Sequence, residues 1–194
     1  SPGPVLVLAS SSPYRRELLG RFGLPFTTAN PDVDEAALPA ETPDAQVRRL
    51  AETKARVVAS AHPAALVIGA DQLATAEGSI LSKPGGHEQA VRQLRAMRGR
   101  EVTFYTGLCL LNAATGTANV DCVPFGVRFR DFSDEEIERY LRRERPYQCA
   151  GSFMSEGLGI SLVERLLGDD PSALIGLPLI RLSKMLRAAG VPLP

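Results

Sequence analysis

The sequence has little with which to attract a charged polymer. Lysine plus arginine and aspartate plus glutamate both number 22, so the formal net charge is zero. No bulk field draws the chain to nucleic acid or to an anionic membrane, and any recognition of a charged partner must be local. Cysteine is scarce too. Cys109, Cys122 and Cys149 are an odd set without metal-type spacing, which argues against a disulfide framework and points to a reducing, cytoplasmic compartment. No run approaches the ~18 apolar residues of a membrane-spanning helix, and no basic, apolar leader pattern opens the chain. The opening Ser1-Pro2-Gly3 lacks methionine and is read as a processed or vector-derived end. Histidine supplies only His62, in front of Pro63, and His87, near a helix start. Both read as surface residues, and neither makes a convincing base for a serine nucleophile. A Walker-type phosphate loop is missing. The stretch "GSFMSEGLG" is not a dinucleotide fingerprint, because no apolar strand feeds directly into it.

What is present suits one domain over residues 1–194, or at most two small lobes, with 44% hydrophobic residues to build a core. Val5–Ala9 has strand length, and Ser12 as N-cap with Pro13 in the first turn opens a helix that stops at Gly23. "PFTTANPDVDEAALPAETP" reads as irregular. Thr42-Pro43 starts a helix through about Ser60, with Val47, Leu50, Ala51, Lys54 and Val58 on one face. "AALVIGADQ" reads as a buried strand that ends in polar residues, and "EGSILSKPGG" as a turn-rich connection before a helix over Glu88–Met97. "EVTFYTGLCLLNA" and "TANVDCVPFGVRFR" form a hairpin around Ala114–Gly116. Ser133 with Glu136 is a capping box for a helix to about Glu144. "CAGSFMSEGLG" reads as a loop, "ISLVERLLG" as a strand, and Pro178–Ala189 as the last helix. The order is α/β, and the antiparallel hairpin makes the sheet mixed.

In such folds ligands bind where strands end beside helix N-termini. "LASSSPYRR" offers hydroxyls and a guanidinium, Arg15, that can grip a phosphate. Ser12 reads first as a helix cap. Ser10 and Arg15 read equally well as anion ligands or as strand-end solvation and a surface ion pair. Asp71, at the end of an apolar strand, must be hydrogen-bonded, open to a cleft or bound to a metal, unless it is a plain turn residue. Asp32, Asp34 and Glu35 are hard oxygen donors of the kind Mg²⁺ takes, though acids in a loop are commonly just solvated. Lys54 falls on the inner side of its helix, where its stem can also snorkel to water. Lys83, before Pro84, has the ordinary reading of a solvated charge. Together these types suit metal-assisted attack on a polyphosphate, with a carboxylate taking the proton of water.

"LASSSPYRRELL", "PDVDE", "LAETKA", "IGADQ", "LSKP", "TFYTGL", "CAGSFMSEGLGI" and "LIGLPL" occur in the order and spacing of the Maf nucleotide pyrophosphatases, and the chain resembles that family over essentially its whole length. The resemblance implies an elongated mixed β-sheet flanked by helices, akin to the inosine-triphosphate pyrophosphatases. It implies hydrolysis of a nucleoside triphosphate to monophosphate and diphosphate with a divalent cation, Mg or Mn. Carried over by motif, Asp71 resembles the proton acceptor, and Glu35, with Asp71, a metal or substrate contact. Ser10, Arg15, Lys54 and Lys83 resemble the phosphate-handling residues. Tyr14, Gln72 and Glu156 match the YceF-like branch, which acts on 7-methyl-GTP. The branch acting on dTTP and UTP instead has Ser-Pro-Arg-Arg in the first motif and glutamine at position 156. An aromatic ring such as Tyr14 attracts a cationic methylated purine by roughly 0.5–2 kcal/mol, and a carboxylate at Glu156 can accept from the guanine N1–H and N2–H. One departure is Met154, where that branch commonly carries lysine. The alternatives are an unmodified-nucleotide pyrophosphatase and a nucleotide-binding regulator of septum formation. The expected partner is a small-molecule nucleotide, with no nucleic acid polymer and no membrane; the family and the long hairpin are compatible with a homodimer.

Overall fold

The computed structural model describes residues 3–194, and Ser1 and Pro2 of the expected processed end lie outside the described residues. Among the described residues, seven strands and six helices follow one another. They are β1 (Leu6–Ala9), α1 (Pro13–Gly20), β2 (Phe26–Thr28), α2 (Pro43–Ala59), β3 (Leu66–Ala76), β4 (Ser79–Leu81), α3 (His87–Met97), β5 (Glu101–Asn112) and β6 (Thr117–Phe129). After them come α4 (Asp134–Glu144), β7 (Val163–Leu167), α5 (Pro171–Ile175) and α6 (Leu179–Ala188), with short 3₁₀ turns at Ala150–Ser152 and Leu158–Leu162. Hydrogen-bonded strands follow the order β2-β1-β3-β5-β6-β7, with β4 on β3. β1 is parallel to β2 and β3, whereas β4 and β7 pair antiparallel, so the sheet is mixed as expected.

Local signals explain the helix starts. Ser12 accepts from the Arg15 N–H and Thr42 from the Ala45 N–H, each followed by a proline whose missing N–H costs the helix nothing. Ser133 and Glu136 form the complete capping box of α4.

Four segments differ from the sequence reading. The "PFTTAN" segment is not wholly irregular: Phe26–Thr28 adds an edge strand to β1. Ser79–Leu81 of the turn-rich connection folds back on β3 as β4 through Glu77-Gly78, both at positive φ. The strand expected over "ISLVERLLG" begins only at Val163, because Leu158–Leu162 closes a 3₁₀ turn first. Pro171–Ile175, which carried no prediction, is a short helix.

The chain groups into two compact units. Of the described residues, the first comprises 3–71, Thr106–Val123 and Gly176–Pro194; the second comprises Gln72–Tyr105 and Pro124–Ile175. One core cluster of the first is made of small side chains, including Val7, Ala9, Ala51, Ala55 and Val67, and the larger Leu8, Leu18, Leu19, Leu50 and Ile68 of the same unit are buried as well. The second is aromatic. Phe153 packs between Phe104 and Phe129 at centroid distances of 5.5 and 4.9 Å, with the Phe129 ring edge-on.

Candidate active site

Two glycines decide how closely α2 approaches the sheet in the first unit. A Cβ at Gly69 would lie 2.0 Å from the Ala51 carbonyl oxygen, and one at Gly107 would lie 2.0 Å from that of Val47. With hydrogen in place of a side chain, the backbone of α2 rests directly on β3 and β5. The helix turn that follows Ala51 then carries Lys54 inward, where it is 5% exposed. Its ammonium donates to Asp71 Oδ1 at 2.8 Å and to the Ala70 carbonyl at 3.3 Å, and it pairs with Glu35 Oε1 at 2.8 Å. The inward reading of Lys54 is the one observed.

Asp71 requires a correction. It does not end its strand, because β3 runs on through Gln72 to Ala76. The apolar Leu73 and Ala74 and the β4 ladder keep the backbone extended past the two polar residues. What ends there is the neighbour: Ala9, the last residue of β1, pairs with Gly69, two residues before Asp71. Asp71 thus stands where β3 outlasts β1 and the chain departs into α1. At 7% exposure a lone carboxylate would be costly. Burial pushes its carboxyl above the usual aspartate range, against the pull of Lys54 and of Arg15.

The "SSSPYRR" stretch separates its two arginines. Arg15 turns inward, 8% exposed, and its Nε–H donates to the Gly176 carbonyl at 2.8 Å. Burial pulls its pKa down, while the charges of Asp71 and Glu35 hold it up. Arg16 instead lines a cavity of about 370 Å³ with Ser10, Ser11, Ser12, Pro13, Glu17 and Thr28. Ser10 is buried, and its hydroxyl accepts from the Ser12 N–H at 3.1 Å, which shapes the turn into α1. Tyr14 is half-buried in the same helix.

The loop that carries Glu35 is fastened to α2 from the side. Arg49 donates to Glu41 at 2.6 and 2.9 Å and to the Ala36 carbonyl at 3.1 Å, which holds the exposed Glu35 beside Lys54. The first unit therefore gathers two cations and two carboxylates. Among the described residues no group of three acids, histidines or cysteines is disposed to hold a metal ion. Glu35 and Asp71 nevertheless converge on one cation, the Lys54 ammonium. Two hard oxygen donors fit the small protein share that Mg²⁺ takes when water and phosphate oxygens complete its shell.

The remaining candidates lie in the second unit. Lys83 is exposed beside Ser82, and Glu156 is exposed in the 149–158 loop. The amide nitrogen of Gln72 donates to the Ala173 and Leu174 carbonyls at 3.1 and 2.9 Å, so Gln72 braces α5. Met154 is half-buried, and its backbone N–H bonds to the Tyr140 hydroxyl. The sequence reading missed the Gly176 carbonyl, Gln93 and Tyr140. For the last two a signal existed, a polar group on the inner face of an amphipathic helix. His62 and His87 take no part in the quartet: His62 contacts its own helix end, and His87 bonds to Tyr147 and Glu138.

The chain matches the family of Maf-like proteins over residues 5–189, and it belongs to that family. A protein of Nitrosococcus oceani called 7-methyl-GTP pyrophosphatase is 60% identical over 189 residues, 97% of this chain and 95% of the relative. One of the same name from Methylobacillus flagellatus is 56% identical over 188 residues, 97% of this chain and 98% of the relative. Among solved structures, the Ham1 protein of Staphylococcus aureus is similar with a TM-score of 0.47 and 14% identity, covering 66% of this chain and 72% of its own. No helix among the described residues is long and apolar enough to cross a membrane.

Proposed function

We propose that this chain hydrolyses 7-methyl-GTP to 7-methyl-GMP and diphosphate. Water attacks the α-phosphorus, the bond from that phosphorus to the bridging oxygen breaks, diphosphate leaves, and Asp71 takes the proton of the water. One observation carries the chemistry: a buried carboxylate made more basic than a surface aspartate, held at 2.8 Å by Lys54 of α2. The relatives named 7-methyl-GTP pyrophosphatase, aligned over nearly the full length, support the substrate.

Ser10, Arg15, Lys54 and Lys83 counter phosphate charge as it redistributes in the transition state. Glu35 and Asp71 would hold Mg²⁺ or Mn²⁺, which when bound supplies further charge neutralisation and orients the phosphates. Tyr14 stacks on the methylated ring by cation–π attraction. Glu156 accepts from the guanine edge, and its negative charge favours a cationic base. Gln72 is the third residue of the base-selecting set carried by the resemblance, and its amide nitrogen holds the α5 backbone.

Diphosphate release, measured with Mg²⁺ or Mn²⁺ over 7-methyl-GTP, GTP, dTTP, UTP and CTP, tests the reading. It predicts the largest kcat/KM for 7-methyl-GTP. Preference for dTTP or UTP would overturn the choice of base. No turnover of any triphosphate would overturn the enzyme and favour a nucleotide-binding regulator.

A further inference from the structure

The loop 149–158 is built to stay in one conformation. Gly151 and Ser152 are consecutive residues at φ +64° and +58°, and the second bears a side chain that such a backbone disfavours. Ser152 is fully buried. Its carbonyl accepts from the Tyr140 hydroxyl at 2.7 Å, and the same hydroxyl accepts from the Met154 N–H at 3.0 Å. One turn further along α4, the Glu144 carboxylate accepts from the Leu158 N–H, and a Cβ at Gly157 would collide with it. Tyr140 and Glu144 thus hold the loop on both sides of Glu156.

A second set of bonds joins this loop to the one bearing Lys83. The Ser152 hydroxyl donates to Gln93 Oε1 at 2.7 Å, and Gln93 Nε2 donates to the Ser82 carbonyl at 2.8 Å. That carbonyl also accepts from the Gly151 N–H at 3.2 Å. Gln93 uses both ends of its amide on the two loops, at Ser82 next to Lys83 and at Ser152, four residues before Glu156.

We infer that Tyr140 and Gln93 are positioning residues that set selectivity for the base, by fixing the Glu156 loop against the Lys83 loop. Neither touches substrate. The inference rests on the proposed function, since it takes Glu156 as the reader of the base and Lys83 as a phosphate ligand. In its consequence Tyr140 acts on a ratio of substrates as well as on a rate, because a loop that loses its set geometry presents Glu156 in several orientations.

The test compares Tyr140→Phe, Gln93→Leu and the control Val127→Ala, a core change in the same unit, with the wild-type full chain. Melting temperature and kcat/KM for 7-methyl-GTP, GTP and UTP are measured for each. Tyr140→Phe and Gln93→Leu are expected to lower the ratio of 7-methyl-GTP to GTP about tenfold, and amide hydrogen exchange at Met154 should accelerate in Tyr140→Phe. Val127→Ala should lower the melting temperature and leave the ratio unchanged. Gln93→Glu, which keeps the acceptor for Ser152, should recover part of the ratio lost in Gln93→Leu. A wild-type ratio that favours 7-methyl-GTP, with an unchanged ratio in both variants, overturns the inference and leaves the function standing. A wild-type enzyme without that preference overturns the choice of base itself, and with it this role for Tyr140.

Discussion

In the first unit the ionisable side chains Arg15, Lys54 and Asp71 are all less than 9% exposed, with Glu35 joining them from a surface loop. Around the 149–158 loop of the second unit, the buried polar side chains Tyr140, Gln93 and Ser152 are neutral. Burying an ion carries a desolvation cost of several kcal/mol that a partner only offsets, whereas a neutral buried hydrogen bond contributes about 1 kcal/mol without it. The difference separates two tasks. In the proposed function, buried charge serves the phosphate chemistry of the first unit, whereas the most buried polar side chains that shape the loop are neutral and the half-buried Glu144 adds a carboxylate bond.

The sharpest break of that contrast is Asp71→Asn. It should lower kcat about 10³-fold, a typical share for a general base, with nucleotide binding largely retained; full activity would mean Asp71 is not the base. Next comes Lys54→Met, which leaves Asp71 without its nearest cation. A loss of about 3 kcal/mol in denaturant unfolding is expected, in line with one-sided removal of a buried pair. A neutral effect would mean that the pair contributes nothing net. Glu156→Gln, on the exposed side of the second unit, should shift the ratio of 7-methyl-GTP to GTP about tenfold, or ~1.4 kcal/mol, at unchanged melting temperature. The smallest effect concerns acid stability. Glu136 is held down to about 2 by hydrogen bonds from Arg130 and the Ser133 backbone. Its contribution is present above the ordinary glutamate value of 4.5 and is lost as pH falls towards about 2. The melting temperature of Glu136→Gln should therefore fall below wild type near neutrality and converge with it as the pH drops through that window.

Much of the first unit was legible in the sequence, because its signals are local. Ser12-Pro13 and Thr42-Pro43 announce helix starts, and Lys54 on an apolar helical face announces a buried cation. The error at Asp71 has a physical cause. Two polar residues after five apolar ones look like the end of a strand, yet they lie beside the end of another strand, β1, and register cannot be read from one strand alone. Likewise the inward turn of Arg15 depends on the Gly176 carbonyl, 161 residues away in the chain. The glycines of "CAGSFMSEGLG" were visible, but their reason was not. Gly157 makes room for Glu144 and Gly151 packs near Met97, contacts that only the folded chain supplies. The base-reading roles proposed for Tyr14 and Glu156 rest on family resemblance, and backbone signals alone contain nothing of them.

Hydrolysis of 7-methyl-GTP in ¹⁸O-labelled water tests the central claim most directly. The account predicts label in the phosphate of 7-methyl-GMP, one unlabelled diphosphate per turnover and no orthophosphate. Release of orthophosphate with 7-methyl-GDP, or label in the diphosphate, would contradict it.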